Sequence, residues 1–194
     1  KTKSGKVRIN SIAIEEDAAR KISDAEDHVV YRLDRLGFPL MEITTSADMN
    51  NPEQVREVAE YIGMIIKSTG KIKSGIGTIR QDLNVSIKWH QRIEIKGVQD
   101  LRAIPKIIEK EVERQIEAVK NGKAESHVRK ANPDNSTSYL RPMPGAARLY
   151  VETDHPSVRI TKEMLGEIKI PELISEIVLS LEEKYKINSQ LANE

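Results

Sequence analysis

The chain has no cysteine. Disulfides, thiolate zinc sites and cysteine nucleophiles are therefore ruled out. Aromatic residues are only 4% of the 194 residues, with one Trp and one Phe, so a platform of stacked aromatics for single strands is not expected. No apolar run approaches the ~20 residues of a membrane-spanning helix. The opening Lys-Thr-Lys-Ser-Gly-Lys has no apolar segment behind it and does not read as a secretory signal. A charge excess is also missing. Lys and Arg number 31 against 30 Asp and Glu, a net charge of +1. That argues against a histone-like binder of nucleic acid but leaves room for a local basic groove. What is present, 38% hydrophobic and 31% charged residues, suffices for the core of one medium domain, or one domain and part of a second. A cytoplasmic protein with no membrane association is expected.

Alternating apolar and polar residues predict strands over 7–14, 40–44, 78–87 and 92–96. The short link Lys88-Trp89-His90-Gln91 predicts an antiparallel hairpin between the last two. Asn51 followed by Pro52 and Gln54 predicts a capped helix with an apolar stripe from Val55 to Ile66 and a stop at Gly70. A second helix is expected from about Pro105, with Ile104, Ile108, Val112, Ile116 and Val119 on one side. Residues 132–145 are rich in Pro, Ser, Asn and Gly and read as a loop. Helices are expected from Thr161 onward, one starting at Pro171. The segment 161–194 holds four Lys and seven Glu, a balance of −3, which leaves +4 for the rest. An anionic ligand is expected on that remainder.

The polar parity of the two middle strands presents Arg80, Asp82, Asn84, Glu94 and Lys96 together. Cross-strand partners lie ~4.5–5.5 Å apart. Carboxylates on a rigid sheet suit Mg²⁺, and Arg and Lys beside them suit phosphate. A solvated face laced with salt bridges explains the same pattern. Glu15-Glu16-Asp17 reads as an acidic helix opening favoured by the helix dipole, or as part of a metal site. Glu42 is a lone acid on a predicted strand. The stretch 70–77 lacks P-loop spacing and reads as a basic turn. The four histidines show no metal-ligand spacing and read as surface residues. Arg141-Pro142-Met143-Pro144-Gly145-Ala146-Ala147-Arg148 is a Pro-fixed, Arg-flanked string suited to an RNA backbone or a neighbouring domain.

Five strings in order are specific enough to compare with a known family: Glu15-Glu16-Asp17-Ala18, the run from Tyr31 to Ile43, the run from Gly75 to Ile87, Glu94-Ile95-Lys96-Gly97-Val98-Gln99, and the run from Arg141 to Arg148. They resemble the GatB/GatE family, the B and E subunits of glutamyl-tRNA(Gln) amidotransferases, over nearly the whole chain. The resemblance implies an α+β cradle domain related to glutamine synthetase, an antiparallel sheet flanked by helices, over 1–158, and the start of a helical domain over 159–194. It implies ATP- and Mg²⁺-dependent phosphorylation of the glutamyl carboxyl of mischarged Glu-tRNA(Gln), then attack by ammonia from a separate asparaginase-like glutaminase, the D subunit. A heterotetramer of two D and two E subunits is the implied assembly. By motif position, Glu15, Glu16, Glu42, Asp82 and Glu94 are implied metal ligands. Arg80, Asn84 and Lys96 are implied contacts to ATP or substrate, and Arg80, Lys96 and Glu94 implied catalytic groups.

The resemblance also implies pieces that this chain lacks. The family's N-terminal strand would precede Lys1, an insertion domain would interrupt the chain near Gln115–Ile116, and a tail domain would follow Glu194. The chain is expected to be a fragment, inactive alone. A non-catalytic scaffold that binds tRNA or a partner, and a ligase acting on a free amino acid, are the competing functions.

Overall fold

The computed structural model describes residues 4–73, 75, 77–144, 156 and 158–192. The chain divides into two units, 1–50 and 51–194. Both helices and strands are abundant, which makes the chain α+β as expected.

The first unit is built from nested hairpins. Strand β1 (Ile9–Glu16) pairs antiparallel with β4 (Pro39–Thr45), and β2 (Arg20–Asp24) pairs antiparallel with β3 (Val29–Arg32). No described residue of this unit is buried, because a two-stranded ribbon has no second layer to cover it. Glu15 and Glu16 close β1 rather than open a helix. The run Ile9 to Ile14 alternates with period 2, and pairing with β4 carries the strand across the acids. Asp17 then turns the chain. Its N–H donates to the Phe38 carbonyl at 2.8 Å, its carbonyl accepts from Gly37 at 2.9 Å, and its carboxylate meets Arg35 at 2.7 Å.

The second unit holds the core. Strands β5 (Gln81–Val85), β6 (Ile93–Val98), β7 (His127–Ala131) and β8 (Thr137–Pro142) form a sheet in that order. The hairpin β5–β6 is antiparallel as expected, and so is β7–β8. The pair β6–β7 is parallel, which corrects the expectation of a wholly antiparallel sheet. A parallel return needs a crossover, and the 3-10 turn Leu101–Ala103 with helix α2 (Ile104–Lys120) supplies it. Residues 132–145 are likewise not all loop. Thr137 to Pro142 is strand β8, and only the Asn132–Ser136 turn reverses the chain.

Helix α1 (Pro52–Ser68) begins as its sequence predicts, with the Asn51 side chain accepting from the Gln54 N–H at 2.8 Å. Short helices α3 (Lys162–Gly166), α4 (Ile174–Tyr185) and α5 (Ser189–Ala192) follow the sheet. The expected start at Pro171 moves to Ile174, where the preceding Leu173 N–H donates to Glu176 at 3.0 Å. The core is Leu83, Val85, Ile93, Ile95 and Val98 of the sheet against Ile104, Ile107 and Ile108 of α2, with Val55 and Ala59 of α1 at its margin.

The apolar stripe of α2 is only partly aliphatic. Ile116 is exposed, whereas Glu111 and Gln115 are fully buried. Glu111 accepts from Arg114 at 2.7 and 3.0 Å, from Thr137 at 2.7 Å and from Gln115 at 3.0 Å, and Arg129 approaches at 3.4 Å. Gln115 also donates to the Val85 carbonyl at 3.2 Å and accepts from the Ile87 N–H at 3.1 Å. The network fastens α2 to both edges of the sheet.

Candidate active site

Along β6, Ile93 and Ile95 face the core while Glu94 and Lys96 face away. Strict alternation would place Val98 on the outer face with Glu94 and Lys96, but a β-bulge interrupts the pairing. The register runs Leu83↔Ile95 and Gln81↔Val98, so Lys96 and Gly97 together oppose Asp82. Val98 is buried across that break. Gly97 supplies the extra residue in a left-handed conformation, φ +80°. The bulge brings Lys96 to both acids. Its Nζ lies 2.5 Å from Asp82 Oδ2 and 2.5 Å from Glu94 Oε1. Burial works against the ammonium, but the hydrogen bonds it donates to Asp82 and Glu94, and their charges, outweigh that and raise its pKa above the ordinary lysine value.

A Cβ at Gly97 would meet nothing closer than the Lys130 side chain at 4.0 Å. The penalty of Gly97→Ala is therefore backbone strain alone. We expect it to destabilise the fold by about 1–2 kcal/mol, read as a lower urea midpoint, and to loosen the Lys96 triad.

Asn84 pairs with Glu94 across β5–β6 and shares the triad's face. Arg80 stands just before β5. In the first unit the register Ala13↔Glu42 and Glu15↔Leu40 puts Glu15 and Glu42 on one face of the ribbon, about 7–8 Å apart as diagonal neighbours. Glu16 takes the opposite parity and points from the other face. Within neither unit do three His, Asp or Glu side chains of the described residues gather around a metal position. The sheet unit carries two carboxylates beside Lys96, and the ribbon unit, taken by itself, carries two on one face. Hard oxygen donors in pairs match Mg²⁺, which takes one or two carboxylates and completes its shell with water and phosphate oxygens.

Two features lie beyond the signals in the sequence. Lys130 lies level with Lys96 in the parallel β6–β7 register, on a strand that no alternation predicts. His90 is buried, which corrects its reading as a surface residue. Its Nδ1 donates to the Gln91 carbonyl at 2.5 Å, and Arg114 reaches its Nε2 at 3.4 Å. Of the string from Arg141, only 141–144 are described. Arg141 and Pro142 end β8, and 145–148 lie outside the described residues. In the turn 70–77, Ser74 and Ile76 also lie outside them.

The chain is 31% identical over 329 residues to the E subunit of glutamyl-tRNA(Gln) amidotransferase from Methanocaldococcus jannaschii, covering 98% of this chain and 52% of the relative. The E subunit of Pyrococcus horikoshii is 60% identical over 116 residues, 60% of this chain and 18% of the relative. That of Methanothermobacter thermautotrophicus is 57% identical over 118 residues, 61% of this chain and 19% of the relative. The chain spans about half the length of the relatives that match it throughout. An alignment of 329 positions to 194 residues also leaves at least 135 positions (329 − 194) with residues in the relative and none here. Residues 1–166, which contain the ribbon, the bulged hairpin and the whole sheet, match the family model for the GatB/GatE catalytic domain, and the chain belongs to that family.

Proposed function

We propose that this chain is the catalytic domain of an amidotransferase that converts Glu-tRNA(Gln) to Gln-tRNA(Gln). The single observation that carries the reading is the Lys96 ammonium held between Asp82 and Glu94 at a bulge. Bulges re-aim side chains at functional sites. Here the device sets one cation and two carboxylates on one sheet face, residue types that serve phosphoryl transfer from ATP. Family membership, and relatives named as the E subunit of this amidotransferase, support the same chemistry.

In this reading Asp82 and Glu94 of the sheet unit would ligate Mg²⁺, and Glu15 and Glu42 on one face of the ribbon and Glu16 on the other are further carboxylates for the metal. The ion, when bound, draws charge from the phosphate oxygens and positions ATP. Lys96 offsets the repulsion between its two carboxylates and offers a positive charge to the transferring phosphoryl group. Arg80 and Asn84 orient the nucleotide or the glutamyl end. Once the glutamyl carboxyl is phosphorylated, ammonia displaces phosphate. An asparaginase-like glutaminase, the D subunit, supplies the ammonia, in a heterotetramer of two D and two E subunits in the cytoplasm. No helix among the described residues is long and apolar enough to cross a membrane.

The same reading assigns 1–158 to a cradle related to glutamine synthetase and 159–194 to the start of a helical domain. It places the positions missing against the M. jannaschii relative near Gln115–Ile116, where α2 here runs without a break.

The test is ATP cleavage by the full-length protein with its glutaminase partner. ADP should form only when the tRNA carries glutamate, and Gln-tRNA(Gln) should accumulate with it. ATP cleavage on free glutamate without tRNA would move the protein to the free amino acid ligases.

A further inference from the structure

Trp89, the one tryptophan of the chain, is the most conspicuous residue outside the triad. It occupies the third position of the Ile87–His90 turn, closed by the His90 N–H to the Ile87 carbonyl at 3.1 Å. Its φ is +69°. Turns of that shape use Gly or Asn at this position, and a bulky residue there is strained. Its surface is also 75% exposed. Both features work against the stability of the isolated fold.

The turn nevertheless cannot relax, because α2 and the segment after it clamp it. Gln115 accepts from the Ile87 N–H, Arg114 reaches the buried His90 ring, and the Gln91 N–H donates to the Ala124 carbonyl at 3.0 Å. Strain held in place by its surroundings is a mark of function. The surroundings are cationic. The Lys88 ammonium lies 4.3 Å from the centre of the indole. The two joined turns, 87–92 and 121–126, carry Lys88, Arg92 and Lys123 against one carboxylate, Glu125.

We infer that Trp89 is a stacking post for one unpaired base of an RNA, with Lys88, Arg92 and Lys123 facing its phosphates. An exposed aromatic ring on a clamped turn beside cations is the chemistry that binds single-stranded RNA, since every base has a face to stack and every nucleotide a phosphate to neutralise. The inference rests on the tRNA-dependent reading above and adds to it a contact that lies outside the Lys96 triad.

Trp89 reports on its own contact, because it is the chain's only tryptophan. Titrating the chain with tRNA should quench its fluorescence, with an affinity that falls as salt rises. W89G keeps the turn's backbone without strain, so its melting temperature should equal or exceed that of the parent. Its tRNA affinity, read by filter binding, should be about tenfold weaker, within the range of a lost base stack. W89F should recover most of that affinity. Equal tRNA affinity for W89G and the parent overturns the stacking post and leaves the tRNA-dependent reading intact. Absence of any quenching by tRNA overturns the stacking post, and absence of tRNA binding by the full-length protein with its glutaminase partner overturns both. Quenching by the glutaminase partner and not by tRNA overturns it in favour of protein docking.

Discussion

Glu94→Gln is expected to lower the transamidation rate of the full complex by about 10²- to 10³-fold, the scale of losing one pre-placed electrostatic partner. The substitution keeps shape and removes one charge from the pair of carboxylates on Lys96. Asp82 still accepts from Lys96, and the core side of β6 is untouched, so folding should survive. Affinity for tRNA should be unchanged, because Glu94 is a carboxylate on the triad's face and offers nothing to an RNA phosphate. Single-turnover formation of Gln-tRNA(Gln) measures the first effect and filter binding the second. Unchanged turnover would favour a scaffold that retains the fold without the chemistry.

Glu111→Ala is expected to cost about 3–5 kcal/mol of stability, the range for breaking a buried ion pair from one side. Glu111 is fully buried and gathers Arg114, Arg129, Thr137 and Gln115. Without it the largely buried Arg129 guanidinium loses its counter-charge, and α2 loses its hold on β8. Urea unfolding measures the loss.

The pH dependence follows from the same site. Burial pushes the Glu111 carboxyl up, but hydrogen bonds from Arg114, Thr137 and Gln115 outweigh it and hold its pKa below the ordinary value of 4.5. A carboxyl depressed by folding stabilises the folded state above the unfolded pKa and loses that contribution as pH falls through the folded one. The stability gap between the parent and Glu111→Gln should therefore be full at pH 7 and narrow below about 4.5. A gap that persists unchanged into acid would show that packing, and not charge, gives Glu111 its weight.

Much of this is legible in the residues. Period-2 alternation locates β1, β4, β5 and β6, and Asn51-Pro52 locates the start of α1, because these signals are local. The failures are equally specific. Strand β8 is hidden by the Pro and Asn of the turn before it, although Thr137 and Tyr139 alternate. Charge alone favours a helix opening at the acids after Ile14, whereas pairing with β4 keeps them extended. Glu111 and Gln115 stand on an apolar stripe as polar exceptions, and nothing local says that Arg129 and Thr137, well along the chain, satisfy them.

The sequence by itself determined the strands of the hairpin, the capped helix, and the residue types that face away from the core. Those properties follow from backbone periodicity and side-chain chemistry, which act over a few residues. Only the tertiary structure decided that the bulge at Gly97 turns Lys96 onto Asp82 and Glu94, that β7 returns parallel, and that α2 pins the strained Trp89 turn. Each of these depends on contacts between distant segments, and their energy exists only once the chain has closed on itself.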